Sequence, residues 1–278
     1  MSLTRVHAGF SALALAAALL IATPVSAQVA VSGGVDVTNQ YNFRGIRQNF
    51  DGVSIWPFID LGATTFSGDG AVKTVGINVG SWNAFHSELG DNKWYESDFY
   101  GTLALGFGAG SLGFTYTAYA SPADLFSTVH ELAVRGTATA SAGDVALNPY
   151  ALVAFELGDA QADGGASKGT YLELGIAPGV GGDRASLAIP VKVGLSLKDY
   201  YEHNMGTAAV PDLQDSAFGY FSIAGLVTVP LGGNANIHGG VEVQTFGDTL
   251  KAKNAFGDDP LDPAGSAVIG SIGIGFSF

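Results

Sequence analysis

Histidine, serine and carboxylate groups are the residues from which hydrolytic chemistry is built, and few here stand where it would need them. Beyond the N-terminal region the histidines are His86, His130, His203 and His238. His86-Ser87-Glu88 and His203 fall in expected loops, and His130 and His238 near strand ends. No serine stands in a nucleophile-elbow context, a sharp strand-to-helix turn, so no catalytic set is assigned and no enzyme activity is expected. The chain has no cysteine, which excludes disulfides and thiolate metal sites. Asp199, Glu202, Asp212 and Asp215 form one acidic loop, and Asp248, Asp258, Asp259 and Asp262 another. The run Gly257 to Asp262 offers oxygen ligands to Ca²⁺, but its spacing matches no EF-hand loop. A solvated acidic loop is the preferred reading, so neither a metal nor a cofactor is expected.

A different group of charges shares one face of a repeating pattern. Asp36, Gln40, Asn42 and Arg44 come first, followed by Glu96 and Asp98, Glu131 and Arg135, and Glu156. Glu173, Lys192, Lys198, Glu242 and Gln244 complete the set, with Asp60 a further candidate. Charges of both signs around a narrow interior orient polar solutes and set ion preference. The competing reading is that they pair across the interior and plug it. Arg44 is either a permeation residue or a strut for Glu96 or Asp98, and the strut is favoured because arginine forms well-oriented carboxylate pairs.

The elements that would position these side chains are strands. From Val29 to Arg44 small or apolar residues alternate with polar ones, Asn39 apart, over about 16 residues. The alternation recurs at Val53–Phe66, Lys73–Phe85, Tyr95–Phe107, Leu112–Tyr119, His130–Ala140 and Leu147–Leu157. It continues at Thr170–Ala177, Leu187–Leu197, Phe218–Val229, Asn236–Phe246 and Ala267–Phe278. Tight glycine-rich connections alternate with long polar ones, the layout of an outer-membrane barrel with periplasmic turns and external loops. Pro149 and Pro230 fit strand ends, whereas Pro57 and Pro190 are expected to mark bulges.

Composition agrees. Only 13% of the 278 residues are charged, too few for an all-round aqueous surface. A hydrophobic fraction of 47% with so little charge argues against a disordered chain, and a net charge of −13 against a nucleic-acid partner. Arg5, the uncharged run Phe10 to Ala22, and Val25-Ser26-Ala27 form a secretory signal over residues 1–27. The remaining 28–278 is expected to be one all-β domain, a transmembrane antiparallel up-and-down β-barrel of 12 strands.

The chain end, Ser271 to Phe278, resembles the C-terminal signal of outer-membrane barrels, with Gly273, Phe276 and Phe278 in the positions that carry it. That resemblance implies recognition by the barrel-assembly machinery. The stretch Tyr41-Asn42-Phe43-Arg44-Gly45-Ile46-Arg47-Gln48 resembles the Tyr-x-Phe-Arg-Gly-x-x-Gln segment of the TorF-type porin family. It implies an outer-membrane porin giving passive diffusion of small polar solutes or ions, surrounded by outer-membrane lipid and lipopolysaccharide. The alternative is a closed barrel with a structural or surface-binding role.

Overall fold

The computed structural model describes residues 29–49, 51–204, 212–255 and 265–278. The expected signal segment and Asp258, Asp259 and Asp262 lie outside the described residues.

Twelve antiparallel strands form the wall: β1 (Val29–Thr38), β2 (Ser54–Ser67), β3 (Val72–His86), β4 (Trp94–Phe107), β5 (Gly110–Ala120) and β6 (Val129–Ala138). The second half comprises β7 (Tyr150–Glu156), β8 (Thr170–Ile176), β9 (Val191–Lys198), β10 (Phe218–Gly232), β11 (Ala235–Phe246) and β12 (Ser266–Ser277). Each pairs with its neighbours in sequence, and β12 pairs with β1, so the sheet closes on itself. Closure leaves no free edge, which a wall in hydrocarbon requires. Short extensions Ser141–Ala142, Val145–Ala146, Gly179–Gly181 and Ser186–Ala188 lengthen β6 to β9 toward their turns.

Side-chain parity is kept around the wall. Outward residues are apolar and bare, with Phe99 and Val268 each 59% exposed. Phe66, Phe107, Phe276 and Phe278 stand outward near the tight turns, and Trp94, Phe155 and Phe218 near the long loops. Two aromatic girdles around an apolar band are what a bilayer slab selects. No helix among the described residues is long and apolar enough to cross a membrane.

Two expectations need correction. Pro57 and Pro190 sit in ladders without a bulge. Ile55 faces Phe85 and Phe58 faces Trp82, leaving two residues on each side. Ala188 faces Leu226 and Val191 faces Ile223, again two against two. Proline removes one donor but keeps its acceptor, and the Ala224 amide donates to the Pro190 carbonyl at 2.9 Å. The first strand also stops at Thr38 rather than reaching Arg44. The chain then turns into the barrel and forms a small hairpin, Asn42–Phe43 against Ile46–Arg47. Arg44 and Gly45 are its two-residue turn, with φ of 50° and 83°. Positive φ at both central residues matches the twist of a tight hairpin.

Small residues inside the wall make room for large ones. A Cβ on Gly194 would run into the Tyr220 ring and lie 2.8 Å from the Tyr171 hydroxyl. On Gly225 it would meet nothing within 4 Å. Gly194→Ala is therefore expected to destabilise the barrel by about 1–3 kcal/mol, an overpacking cost. The temperature at which the folded gel band converts to the unfolded one should fall for Gly194→Ala and stay put for Gly225→Ala. Equal shifts would remove the packing argument.

Candidate functional site

The lumen is divided along its length. Following each strand inward from the loop end, Ser54, Glu96, Asp98, Glu131, Glu156, Tyr171, Ser196, Tyr220 and Gln244 are buried. Toward the turn end, Asp36, Asp60, Tyr100, Arg135, Tyr150, Glu173, Lys192, His238 and Glu242 are partly or fully accessible. The outer half is filled by protein and the turn-side half is an accessible polar vestibule.

The filling is centred on Arg44. The hairpin turn projects its guanidinium into a fork with Glu131, Nη1 to Oε2 at 2.5 Å and Nη2 to Oε1 at 2.7 Å. Nη1 also donates to the Tyr200 hydroxyl at 2.7 Å, and Tyr119 donates to Glu131 Oε1 at 3.2 Å. The guanidinium lies 4.3 Å from the centre of the Tyr171 ring. A buried charge is tolerable only when paired and hydrogen-bonded, and both conditions are met here.

The hairpin backbone is held just as closely. Tyr201 donates to the Arg44 carbonyl at 3.0 Å. Asn254 Nδ2 donates to the Gly45 carbonyl at 2.8 Å, and its Oδ1 accepts the Arg47 amide at 3.0 Å. Asn254 belongs to the short helix α1 (Asp248–Asn254), whose Leu250 is wholly buried. A Cβ on Gly45 would come within 2.9 Å of both Leu250 and the Tyr220 ring, a second reason for glycine there. Asn42 donates to Gln244 on the wall at 2.9 Å, and Tyr95 donates to Gln48 at 2.5 Å. Tyr41 packs against Trp56 and Trp82, each with ring centres 5.3 Å apart.

Beneath the plug, Glu173 accepts the hydroxyls of Tyr150, Tyr171 and Tyr220 at 2.7, 2.7 and 2.9 Å. Lys192 stands 3.6 Å from Glu242, which also accepts from Ser222 and Gln244. Arg135 lies 3.9 Å from the centre of the Tyr150 ring. Asp36 and His238 meet at 2.6 Å across β12, where Gly273 is the residue between them. A Cβ there would collide with Asp36 and come within 2.7 Å of His238, so this glycine clears the path for the pair. Its lumenal position comes in addition to its place in the terminal pattern.

Two carboxylates serve loops. Glu156 accepts the amides of Ala162 and Gly169 at 2.6 and 2.7 Å. Glu202 accepts those of Ala166 and Ser167 at 3.0 and 2.8 Å, while its own amide donates to Asp163 at 2.7 Å. Burial raises the Asp163 carboxyl above its ordinary range, against the opposing pull of nearby Lys253. Burial likewise lowers the Lys253 ammonium, whose Nζ donates to the Glu202 carbonyl at 3.1 Å. The 157–169 loop and the segment 199–204 are thereby tied to each other and to the helix behind the hairpin.

Arg44 pairs with Glu131, and not with Glu96 or Asp98, because the chain turns inward at Thr38 and delivers the guanidinium across the lumen. Glu96 and Asp98 stay buried two residues apart on the inner face of β4. Lys198 is 70% exposed at the loop end of β9, beyond a register shift. Sequence reasoning missed the tyrosine cage of Tyr119, Tyr171, Tyr200, Tyr201 and Tyr220. Its signal was available in Tyr171 and Tyr220, large aromatics at polar-face positions of their strands. Two histidines have side-chain partners: His238 contacts Asp36 and Asn236 with its two ring nitrogens, and His130 meets Tyr116 on the outer surface.

Removing one partner of a buried pair leaves a charge uncompensated, at about 3–5 kcal/mol. Arg44→Met and Glu131→Gln are each expected to lower barrel stability by amounts of that order, and the double variant by clearly less than their sum. Urea titration of all four proteins measures the coupling, and additive losses would contradict the pairing.

No protein-family model matches the chain, and no curated protein matches it. Among solved structures it is similar to the NanC porin, at 10% identity and a TM-score of 0.44, over 89% of this chain and 98% of that one. It is similar to the COG4313 outer membrane channel from Pseudomonas putida F1, at 11% identity and 0.49, over 92% and 97%. The outer membrane phospholipase A from Escherichia coli gives 10% and 0.48, over 88% and 92%. The chain's own wall decides its place: a closed antiparallel barrel, apolar and aromatic-girdled outside and polar within, it is a β-barrel of the bacterial outer membrane.

Proposed function

We propose that the chain is a porin-like barrel for passive passage of small polar solutes or ions, closed at rest by its own Arg44 hairpin. The observation that carries this reading is the Arg44–Glu131 fork set inside a wall of polar side chains. A barrel needing only a packed interior could use apolar filling, which costs less than burying a charge pair. A charge pair on a hairpin is separable: its partners regain water when the hairpin leaves. The resemblance to TorF-type porins rests on Tyr41 to Gln48, the very segment that forms the plug.

The proposal extends to the surroundings. Residues 1–27 act as an export signal. Lipid and lipopolysaccharide cover the outer wall, and the assembly machinery reads the strand that carries Gly273, Phe276 and Phe278. A closed barrel with a structural or surface-binding role is the second reading, favoured by the same filled outer half.

Planar-bilayer recording separates the two. The wild-type protein is expected to show rare, brief openings, and deletion of residues 41–48 to give stable conductance steps. Silence from both folded proteins would favour the structural role, and large steady steps from the wild type would refute the plug. Ion preference supplies an independent check. The accessible vestibule carries Asp36, Asp60, Glu173 and Glu242 against Arg135 and Lys192. Fixed negative charge concentrates cations within a Debye length, ~10 Å at 0.1 M salt. The reversal potential of the deletion variant in a KCl gradient should report cation preference that fades as salt rises. Anion preference would mean that Arg135 and Lys192 control the narrowest point.

A further inference from the structure

A second feature lies on the outer side of the plug. Between the hairpin, the wall and the outer loops is a cavity of about 240 Å³. It is smaller than the ~300–1,000 Å³ of drug-sized sites, so its occupant would be a compact molecule. Four aromatic residues, Phe43 of the hairpin, Tyr95 of β4, Tyr119 of β5 and Phe126 of the loop after β5, line it. Tyr95 and Phe126 pack with ring centres 5.5 Å apart.

The polar lining points to a donor. Gln161 lines the cavity and is 7% exposed, and its Oε1 has no hydrogen-bond partner among the described residues. Glu96 also lines it. A buried acceptor in a native protein normally has a partner, so the Gln161 Oε1 beside this cavity needs an explanation. Arg47 of the hairpin also lines the cavity, and its Nε donates to the Asn49 carbonyl at 2.9 Å, while Arg44 pairs with Glu131 and Lys253 donates to the Glu202 carbonyl.

We propose that this cavity binds a small organic cation, its ammonium group held by Glu96 and the Gln161 carbonyl and flanked by the aromatic rings. A cation over aromatic faces gains from the ring quadrupole, and more so away from water. Asp163, at the loop side of the same cavity, gives the lining two carboxylates, Glu96 and Asp163, against the one guanidinium of Arg47. The inference does not depend on conduction, since a permanently closed barrel would carry the same site.

Isothermal titration of the folded, detergent-solubilised full-length protein tests this, with ethylammonium chloride, whose N–H groups can donate to both acceptors, as the probe and glucose and sodium acetate as controls. Saturable binding of ethylammonium is expected, with none for glucose or acetate. Glu96→Gln should weaken ethylammonium binding by at least about tenfold, the order expected for loss of a charge-assisted contact. Phe126→Ala lies in a loop outside the wall, so it should retain the folded gel band and weaken binding several-fold. Absence of ethylammonium binding to the folded wild type would overturn the proposal. So would equal binding of glucose, or wild-type affinity in both variants.

Discussion

A chain that crosses hydrocarbon as strands must satisfy every backbone N–H and C=O from within, and everything else in this molecule depends on that requirement. It forces β12 back onto β1 and forbids a free edge. It explains why Pro57 and Pro190 are accommodated without disturbing register: each forfeits one donor, while the ladder on either side stays aligned. Alternation then assigns chemistry to the two faces. Valine, isoleucine, leucine and phenylalanine meet lipid, and whatever is polar must turn inward.

An interior made polar in this way cannot be filled as a soluble core is filled. The outer half is packed with tyrosines and carboxylates, whose hydroxyl and acid groups satisfy one another. There Glu131 takes a guanidinium and the Tyr119 hydroxyl, and at the border with the vestibule Glu173 takes the hydroxyls of Tyr150, Tyr171 and Tyr220. Glycines opposite these rings supply the space, as Gly194 does beneath Tyr220. Such packing is specific because each partner has a fixed direction, and removing one strands the others.

Loop order follows from the same economy of hydrogen bonds. Glu156 and Glu202 accept backbone amides of the 157–169 loop, and Lys253 ties the helix to Glu202. The helix in turn presents Asn254 to the hairpin. The 157–169 loop, Glu202 and the helix are thus connected to the plug by short polar contacts. On the turn side no comparable filling exists among the described residues, and the vestibule keeps its acids and bases accessible.

Period-two alternation fixed the twelve strands and their faces before any coordinates, because parity is a local property that a closed sheet cannot override. The apolar outer wall and the inward positions of Glu131, Glu173 and Glu242 followed from parity alone. Arg44 shows where that logic ends. Tyr41 to Gln48 continues the alternation of the first strand, but Arg44 and Gly45 adopt positive φ and reverse the chain inside the barrel. Alternating residues suit a hairpin arm as well as a wall strand, so pattern could not distinguish them. Which carboxylate Arg44 would meet, and that Tyr200 and Tyr201 would arrive from a loop to enclose it, depend on contacts between residues 87 to 157 positions apart. Only closure of the barrel brings those residues together.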